Sequence, residues 1–414
     1  MNVITSPPSL VALRQDLHRH PELRFEEHRT AAVLAARLRN AGFVVREGLA
    51  GTGLVATIGD PDSRPHVLVR ADMDAVPTPD PKAVEYASQT PGVAHACGHD
   101  VHMSVAVGVG EQLAVDGLPG GRLSLLFQPA EEIPFGESSG AQAMIEAGAI
   151  EDGADVVLAL HCWPDLPVGT IGVDRVVAMA AKDAFRIRYR GVPAHAATPS
   201  RGRDALLGIS DLVVALHHLL GRRIDPGEQA ALNVGTISGG SSQSIVPERA
   251  EITGTLRTVD QSVRARLREA IERQVTAIAE GACLEHDLEW ANEMPPVVND
   301  ERLVARALAR LPGVLGEGGL QVMTDPPMTT DDFALYTERI PGLYVKLGVC
   351  PPGAKSCCSL HDGRFDVDER AIGVGVAALS ELVRDLLEHP LASAQPDAST
   401  PTTATSARSI EVIR

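Results

Sequence analysis

The chain has 414 residues, of which 44% are hydrophobic and 22% charged, and a formal net charge of −17. That is long enough for two domains and ordinary for a globular protein, while the acidic balance argues against nucleic acid and anionic membranes as partners. No apolar run approaches the roughly 20 residues that span a bilayer, the first residues lack a basic stretch followed by an apolar core, and six cysteines in a chain this long do not make a disulfide framework, so a cytoplasmic protein with buried, free or metal-bound thiols is expected.

Residues 12–40 have helical spacing, with Leu13, Leu17, Val33, Leu34 and Leu38 as the apolar positions. Pro21 breaks or kinks that segment, and Gly42 stands where a helix end wants glycine. Short strands follow at 54–58 and 67–70. The stretch 101–115 is apolar with small residues and suits a helix buried against a sheet. Residues 123–128 read as a buried strand, 141–147 as a helix ended by Gly148, and 156–160 as another apolar strand. Strands alternating with helices imply a parallel α/β layer.

The pattern changes near Lys182. Residues 184–189 alternate, the sign of a half-exposed strand. A helix at 204–220, alternating strands at 231–238 and 250–258, a charged helix at 261–280 and a strand at 284–290 follow. The order β-α-β-β-α-β is that of the split βαβ sandwich. From about 296 the α/β pattern returns, with a helix at 302–311, a strand at 343–347 and a closing helix at 369–388. Beyond Pro390 the chain is mostly Ala, Ser, Thr and Pro and reads as a disordered tail. The expected fold class is therefore α/β. A mostly parallel sheet flanked by helices comes from 1–181 and 296–390, an α+β ferredoxin-like domain is inserted at 182–295, and 391–414 is tail.

The chemistry gathers around Phe127-Gln128-Pro129-Ala130-Glu131-Glu132. Two adjacent carboxylates sit just past a strand end, the edge where ligands bind in open α/β sheets. One can hold a metal while the other stays free to move a proton; the alternative is a solvated charged loop. Cys97-Gly98-His99-Asp100 precedes the 101–115 helix, and Gly98 permits the backbone geometry that turns Cys97 and His99 to one ion. His161 directly follows the 156–160 strand, and His361 lies beyond the 343–347 strand. Taken singly, these read equally as a buried Cys with a satisfied His, a strand-end His capping a carbonyl, and a loop His. Together they share one sheet edge. A set of S, N and O ligands fits zinc best, with manganese, cobalt or nickel also admissible. Five such groups are too many for one tetrahedral site and suit two metals with a bridging ligand.

Asp72 and Asp74 follow the 67–70 strand and Asp100 sits beside His99; such carboxylates orient ligating imidazoles or cap helices and turns. His195 belongs to the inserted segment and reaches the sheet edge only by domain closure. It would stabilise a developing oxyanion, or is a loop His. Arg257 ends a strand of the same segment and suits a bidentate grip on a carboxylate, or is a solvated strand-end Arg. Gly136-Glu137-Ser138-Ser139-Gly140 matches the serine-hydrolase elbow literally, but 129–135 separate strand from serine, where an elbow needs a sharp turn. Ser238-Gly239-Gly240-Ser241-Ser242 looks like a phosphate loop without its lysine.

As a set, LHRHPEL (17–23), RADMDAVP (70–77), HACGHDVHM (95–103), QPAEE (128–132), LHCWP (160–164), GTLRT (254–258), DDFALY (331–336) and LHDGRF (360–365) span nearly the whole chain. In these stretches, and in their order, the chain resembles the metal-dependent amidohydrolases that include hippurate hydrolase, bacterial N-acyl-amino-acid aminoacylases and plant auxin-conjugate hydrolases. The resemblance implies a zinc-exopeptidase-like catalytic domain with two divalent metal ions held by Cys97, His99, Glu132, His161 and His361, and Glu131 as general base and acid. It implies a homodimer through the inserted domain, which donates His195 to the partner's site. Departures from the family pattern are Pro193-Ala194 where Gly-Gly is usual, Ser244-Ile245-Val246-Pro247 near the substrate carboxylate where Asn-Val-Ile-Pro is usual, Asp331-Asp332-Phe333 for Glu-Asp-Phe, and the loop 351–359 with Cys357-Cys358. They bear on specificity and leave the metals alone. The expected activity is hydrolysis of the amide bond of a small N-acyl amino acid, with Arg257 and Ser244 at the substrate. The alternatives are a dipeptidase or aryl-amide hydrolase using the same site, an inactive metal-binding scaffold, and a Cys97 nucleophile working with His99.

Overall fold

The structure, a computed structural model, describes residues 4–150, 153–353 and 358–391; the expected tail after its first residue, Leu391, and part of the 351–359 loop, Cys357 included, lie outside them. In chain order the elements are α1 (Pro8–Arg19), α2 (His28–Asn40), β1 (Val44–Leu49), β2 (Gly53–Gly59), β3 (His66–Asp72), α3 (His99–Asp116), β4 (Arg122–Gln128), α4 (Gly140–Glu146), β5 (Val156–Pro167), β6 (Ile171–Asp174) and β7 (Val177–Met179). Then come β8 (Ala181–Arg190), α5 (Ala205–Arg223), β9 (Ala230–Gly239), β10 (Arg249–Thr258), α6 (Gln261–Gly281) and β11 (Glu285–Met294). The chain returns with β12 (Val297–Val298), α7 (Glu301–Leu315), β13 (Leu320–Met323), α8 (Ala334–Thr337), β14 (Gly342–Cys350) and α9 (Arg370–Glu388).

The larger sheet runs β1-β2-β4-β3-β5-β14-β6-β13. Its centre is parallel: β3 pairs β4 and β5, and β5 pairs β14, all in the same direction. Antiparallel pairs stand towards the edges. The central strands read as unbroken apolar runs because both faces are covered. On one face α1, α2, α3, α7 and α9 close over Val67, Val69, Leu123, Leu125, Leu158 and Leu343. On the other, α4 and α8 cover Leu68, Leu126, Val157 and Tyr344. Helix α3 is apolar nearly all round because it lies inside this layer. Its buried polar residues, His99, Asp100, His102 and Ser104, are confined to the first two turns, where the chain leaves the sheet edge.

The second sheet is antiparallel with order β11-β8-β10-β9. Helices α5 and α6 cover one face and build a separate core with Phe185, Ile187 and Ile252; the other face is left open. By length and composition α5 could cross a membrane, which an inspection for long uncharged runs passes over; its apolar residues Ile209, Leu212 and Leu216 are buried on the sheet instead. Strands β1, β6 and β13 were not expected. They sit at or near the sheet margin: β1 and β13 carry partly exposed residues, and β6 is four buried residues, too short to show either period. Strand β5 outruns its apolar stretch because pairing with β14 carries it on to Pro167.

Candidate active site at the sheet edge

Two strand ends, one helix start and His161, which lies within β5 and not past its end because that strand runs on to Pro167, converge. Strand β3 ends at Asp72, with Asp74 two residues on. Strand β4 ends at Gln128, and Ala130 then takes a left-handed φ of 51°. That unusual conformation for alanine is held from both sides. The Ala130 amide donates to Glu27 Oε1 at 3.0 Å, and the Ala130 carbonyl accepts from the Gly140 amide at 2.8 Å. Gly140 is obligatory, since a Cβ there would lie 1.6 Å from the Pro129 oxygen. The turn presents Glu131 and Glu132, and Asp74 fixes it: Oδ1 accepts the Glu131 amide at 3.1 Å and Oδ2 the Glu132 amide at 2.9 Å.

Gly98 caps α3 at φ 89°, and a Cβ on it would meet Cys162 Sγ at 2.8 Å. Both facts demand glycine between Cys97 and His99. His99 donates from Nδ1 to the Asp74 carbonyl at 2.8 Å, so Nε2, buried and without a hydrogen-bond partner among the described residues, is the nitrogen left to meet a cation in place of a proton. His161 likewise donates from Nδ1 to the Cys162 carbonyl at 2.8 Å, leaving Nε2 3.5 Å from Cys97 Sγ. His361, tied by its amide to the Ala96 carbonyl at 2.8 Å, brings Nε2 to 2.6 Å from Glu132 Oε1.

The outcome is two triads of ligand atoms, each within 4.8 Å: Cys97 with His99 and His161, and Cys97 with Glu132 and His361. Cys97 belongs to both. Glu131 lies in a further such group with His99 and Glu132. Soft, borderline and hard donors with matching free lone pairs fit divalent cations of the zinc type. The electrostatics agree. Burial, then Glu132, Asp331, Asp332 and Asp74, pushes Glu131 well above the usual carboxylate range. Burial, then Glu132 and Glu131, raises the Cys97 thiol. Burial works against charge on His99, but Asp72 and Asp74 outweigh it and carry its pKa to about 10. Crowded anions that would otherwise take up protons are the setting in which bound cations are favoured.

The expected supports are distributed differently from the sequence reading. Asp72 accepts from His102 Nδ1 at 2.6 Å and from Arg70 at 2.6 Å, and is 3.8 Å from His99 Nε2. Asp74 does orient His99, through its backbone carbonyl. Asp100 makes no bond to His99. It accepts from Arg14 at 2.8 Å and lies 2.7 Å from His18 Nδ1, because on a helix neighbouring residues point about 100° apart. His102, unremarked in the sequence, sits one turn beyond His99, with Nε2 accepting the Cys162 amide; its three-residue spacing was the available signal. Arg70 was missed as well. It bridges Asp72, Asp331 and Asp332 in full burial.

A cavity of about 270 Å³ opens over the triads, walled by Trp163, Met179, Met294, Lys182 and Arg257. Arg257 Nη1 donates to the Met328 carbonyl at 2.7 Å and to Thr330 at 3.1 Å. His195 and Ser244 are not in this cavity. They lie together on exposed loops, joined by the Ala196 amide donating to the Ser244 carbonyl and by a bridge from His195 to Ile245. A larger hollow of about 730 Å³ at the far end of the second sheet contains Arg188, Glu251 and Asp287, paired among themselves, with Ser238, Gly239 and Gly240 beside them, and none of the expected site residues. Ser139 caps α4 by accepting the Gln142 amide, so the Gly136–Gly140 stretch is a helix start and no nucleophile elbow.

The profile described as Peptidase family M20/M25/M40 matches residues 68–385. The chain is 36% identical over 391 residues to an N-acetyl-L-cysteine deacetylase of Bacillus subtilis, covering 94% of this chain and 90% of that one. It is 31% identical over 373 residues to thermostable carboxypeptidase 2 of Saccharolobus solfataricus, covering 89% and 93%. A crystal structure from Bacillus subtilis, described as a dinuclear metal-binding peptidase from the M20 family, superposes with a TM-score of 0.77 at 30% identity, covering 92% and 98% of the two chains.

Proposed function

Since the chain belongs to Peptidase family M20/M25/M40 and is thereby a metal-dependent hydrolase, we propose that it cleaves the amide C–N bond of small N-acyl amino acids, with two divalent cations held by Cys97, His99, Glu132, His161 and His361. The observation that carries this reading is the pair of triads sharing Cys97 beside a glutamate that neither needs. Zinc is the metal the donors favour. Bound cations would supply Lewis acidity towards the amide carbonyl and towards water.

The chain's own groups do the rest. Glu131 takes a proton from the attacking water and returns it to the leaving nitrogen. Asp74, by holding the amides of Glu131 and Glu132, keeps the base and its ligating neighbour in register. Arg257 offers its remaining guanidinium donors to the substrate carboxylate. His195 donates to the oxyanion of the tetrahedral intermediate, and in this reading it comes with Ser244 from a second chain. Two features support pairing through the inserted sheet: β9 is an edge strand, an invitation to association, and Leu207, Val214 and Ile237 are exposed on α5 and β9.

The test joins metal analysis of the purified protein to a panel of N-acyl amino acids, dipeptides and aryl amides. Two metal equivalents per chain, and turnover that favours the acyl amino acids and vanishes on chelation, are expected. Full activity after chelation would refute the reading.

A further inference from the structure

Three lysines fall among the described residues. Lys82 pairs with Asp80 at 3.1 Å and the buried Lys346 with Asp174 at 2.8 Å. Lys182 has no hydrogen-bond or ion-pair partner among the described residues, although it is half-buried. It stands directly opposite Arg257 on the paired strands β8 and β10. Like charges facing each other across a ladder destabilise it, and Arg257 has no carboxylate partner among the described residues either: it donates to a carbonyl and a hydroxyl. Both side chains line the cavity over the triads. Lys182 also lines an adjoining hollow of about 370 Å³ whose walls include Asn233, Thr253, Thr255 and Asn292. It therefore stands where the two spaces meet. Two neighbouring cations with no carboxylate hydrogen-bonded to them among the described residues, and with Glu131 and Glu132, the base and a ligand of the triads, as the anions acting on Lys182, mark places for two anionic groups of a ligand.

We propose that Lys182 forms a second anion subsite, and that the preferred substrates are N-acyl derivatives of acidic amino acids, whose side-chain carboxylate meets Lys182 while Arg257 holds the α-carboxylate. This rests on the amide-hydrolase reading above and narrows it. A short polar side chain fits the adjoining hollow, with Asn233 and Asn292 able to donate to the same carboxylate. Burial, with Arg257 second, lowers the Lys182 pKa against the attraction of Glu131 and Glu132, a strain that an arriving carboxylate would relieve.

The experiment compares isosteric pairs on the metal-loaded full chain: N-acetyl-L-glutamate against N-acetyl-L-glutamine, and N-acetyl-L-aspartate against N-acetyl-L-asparagine. A charged hydrogen bond in such a site predicts a preference of about 10- to 100-fold in kcat/KM for each acid. In Lys182→Met that ratio should collapse towards one, and Lys182→Arg should keep it. Calorimetric binding of L-glutamate against L-glutamine to the same proteins gives a readout independent of turnover. If no acyl amino acid is hydrolysed but glutamate binding stays Lys182-dependent, the subsite stands and the reaction assigned above is wrong. Equal loss for both members of each pair in Lys182→Met would overturn the subsite. So would a wild-type enzyme indifferent to the side-chain charge, or one that favours acidity only in the acyl group, as N-succinyl-L-alanine over N-butyryl-L-alanine.

Discussion

Glu131 and Glu132 are neighbours in one turn, yet their surroundings separate their work. Glu132 is drawn to His361 at 2.6 Å and shares a triad with Cys97. Glu131 belongs to neither Cys97 triad and faces Asp331 and Asp332. Glu131→Gln keeps the shape and removes the base. It is expected to retain both metal equivalents by elemental analysis and to lose about 10²- to 10⁴-fold in kcat. Wild-type turnover in that variant would move the base elsewhere. Gly98 matters in a different way. Its left-handed φ and the nearness of Cys162 are what allow residues two apart to meet one ion.

At the scale of elements, the turn after β4 is joined to the N-terminus of α2 through Glu27. Its carboxylate accepts the Ala130 amide at 3.0 Å and the Thr52 hydroxyl at 2.5 Å. Burial nonetheless pushes its pKa up to about 7. A carboxyl raised on folding contributes stability that is complete below its unfolded pKa, near 4.5, and is lost as pH climbs through about 7. The wild-type protein, metal-free, should therefore lose on the order of 3 kcal/mol from this group between pH 4.5 and 8. Glu27→Gln can still accept from Ala130 and does not titrate. Urea unfolding at pH 5 and pH 8 should show the variant gaining on wild type at the higher pH. A gap that does not change with pH would show that Glu27 stays ionised throughout.

For the whole molecule, the incomplete feature is the oxyanion donor. Within one chain His195 is exposed and outside the cavity over the triads. If a second chain supplies it, His195→Ala and Glu131→Gln are each inactive alone but complement each other. Mixed pairs carry one site with an intact Glu131 from one protomer and an intact His195 from the other. Random mixing in equal amounts makes half the dimers mixed, each with one working site, and so restores about a quarter of wild-type activity. No recovery after mixing and re-equilibration would mean that His195 acts within its own chain or not at all.

The central strands, the apolar α3 and the β-α-β-β-α-β order were legible in the residues, because burial on two faces, or on one, writes its period into the chain. So were the two glutamates past a strand end and the Cys-Gly-His beside them, whose residue types have few other uses in combination. What no spacing states is convergence. Residues 97, 132, 161 and 361 meet only because β3, β4, β5 and β14 run the same way and bring them to one edge of the sheet. The same holds for the supports. Asp100 turns to Arg14 and away from His99, and Asp74 holds two backbone amides, since those partners are decided by three-dimensional packing. Lys182 is the sharpest case. In the sequence it marks where one pattern gives way to the next, and only the pairing of β8 with β10 sets its charge beside Arg257 at the mouth of the cavity.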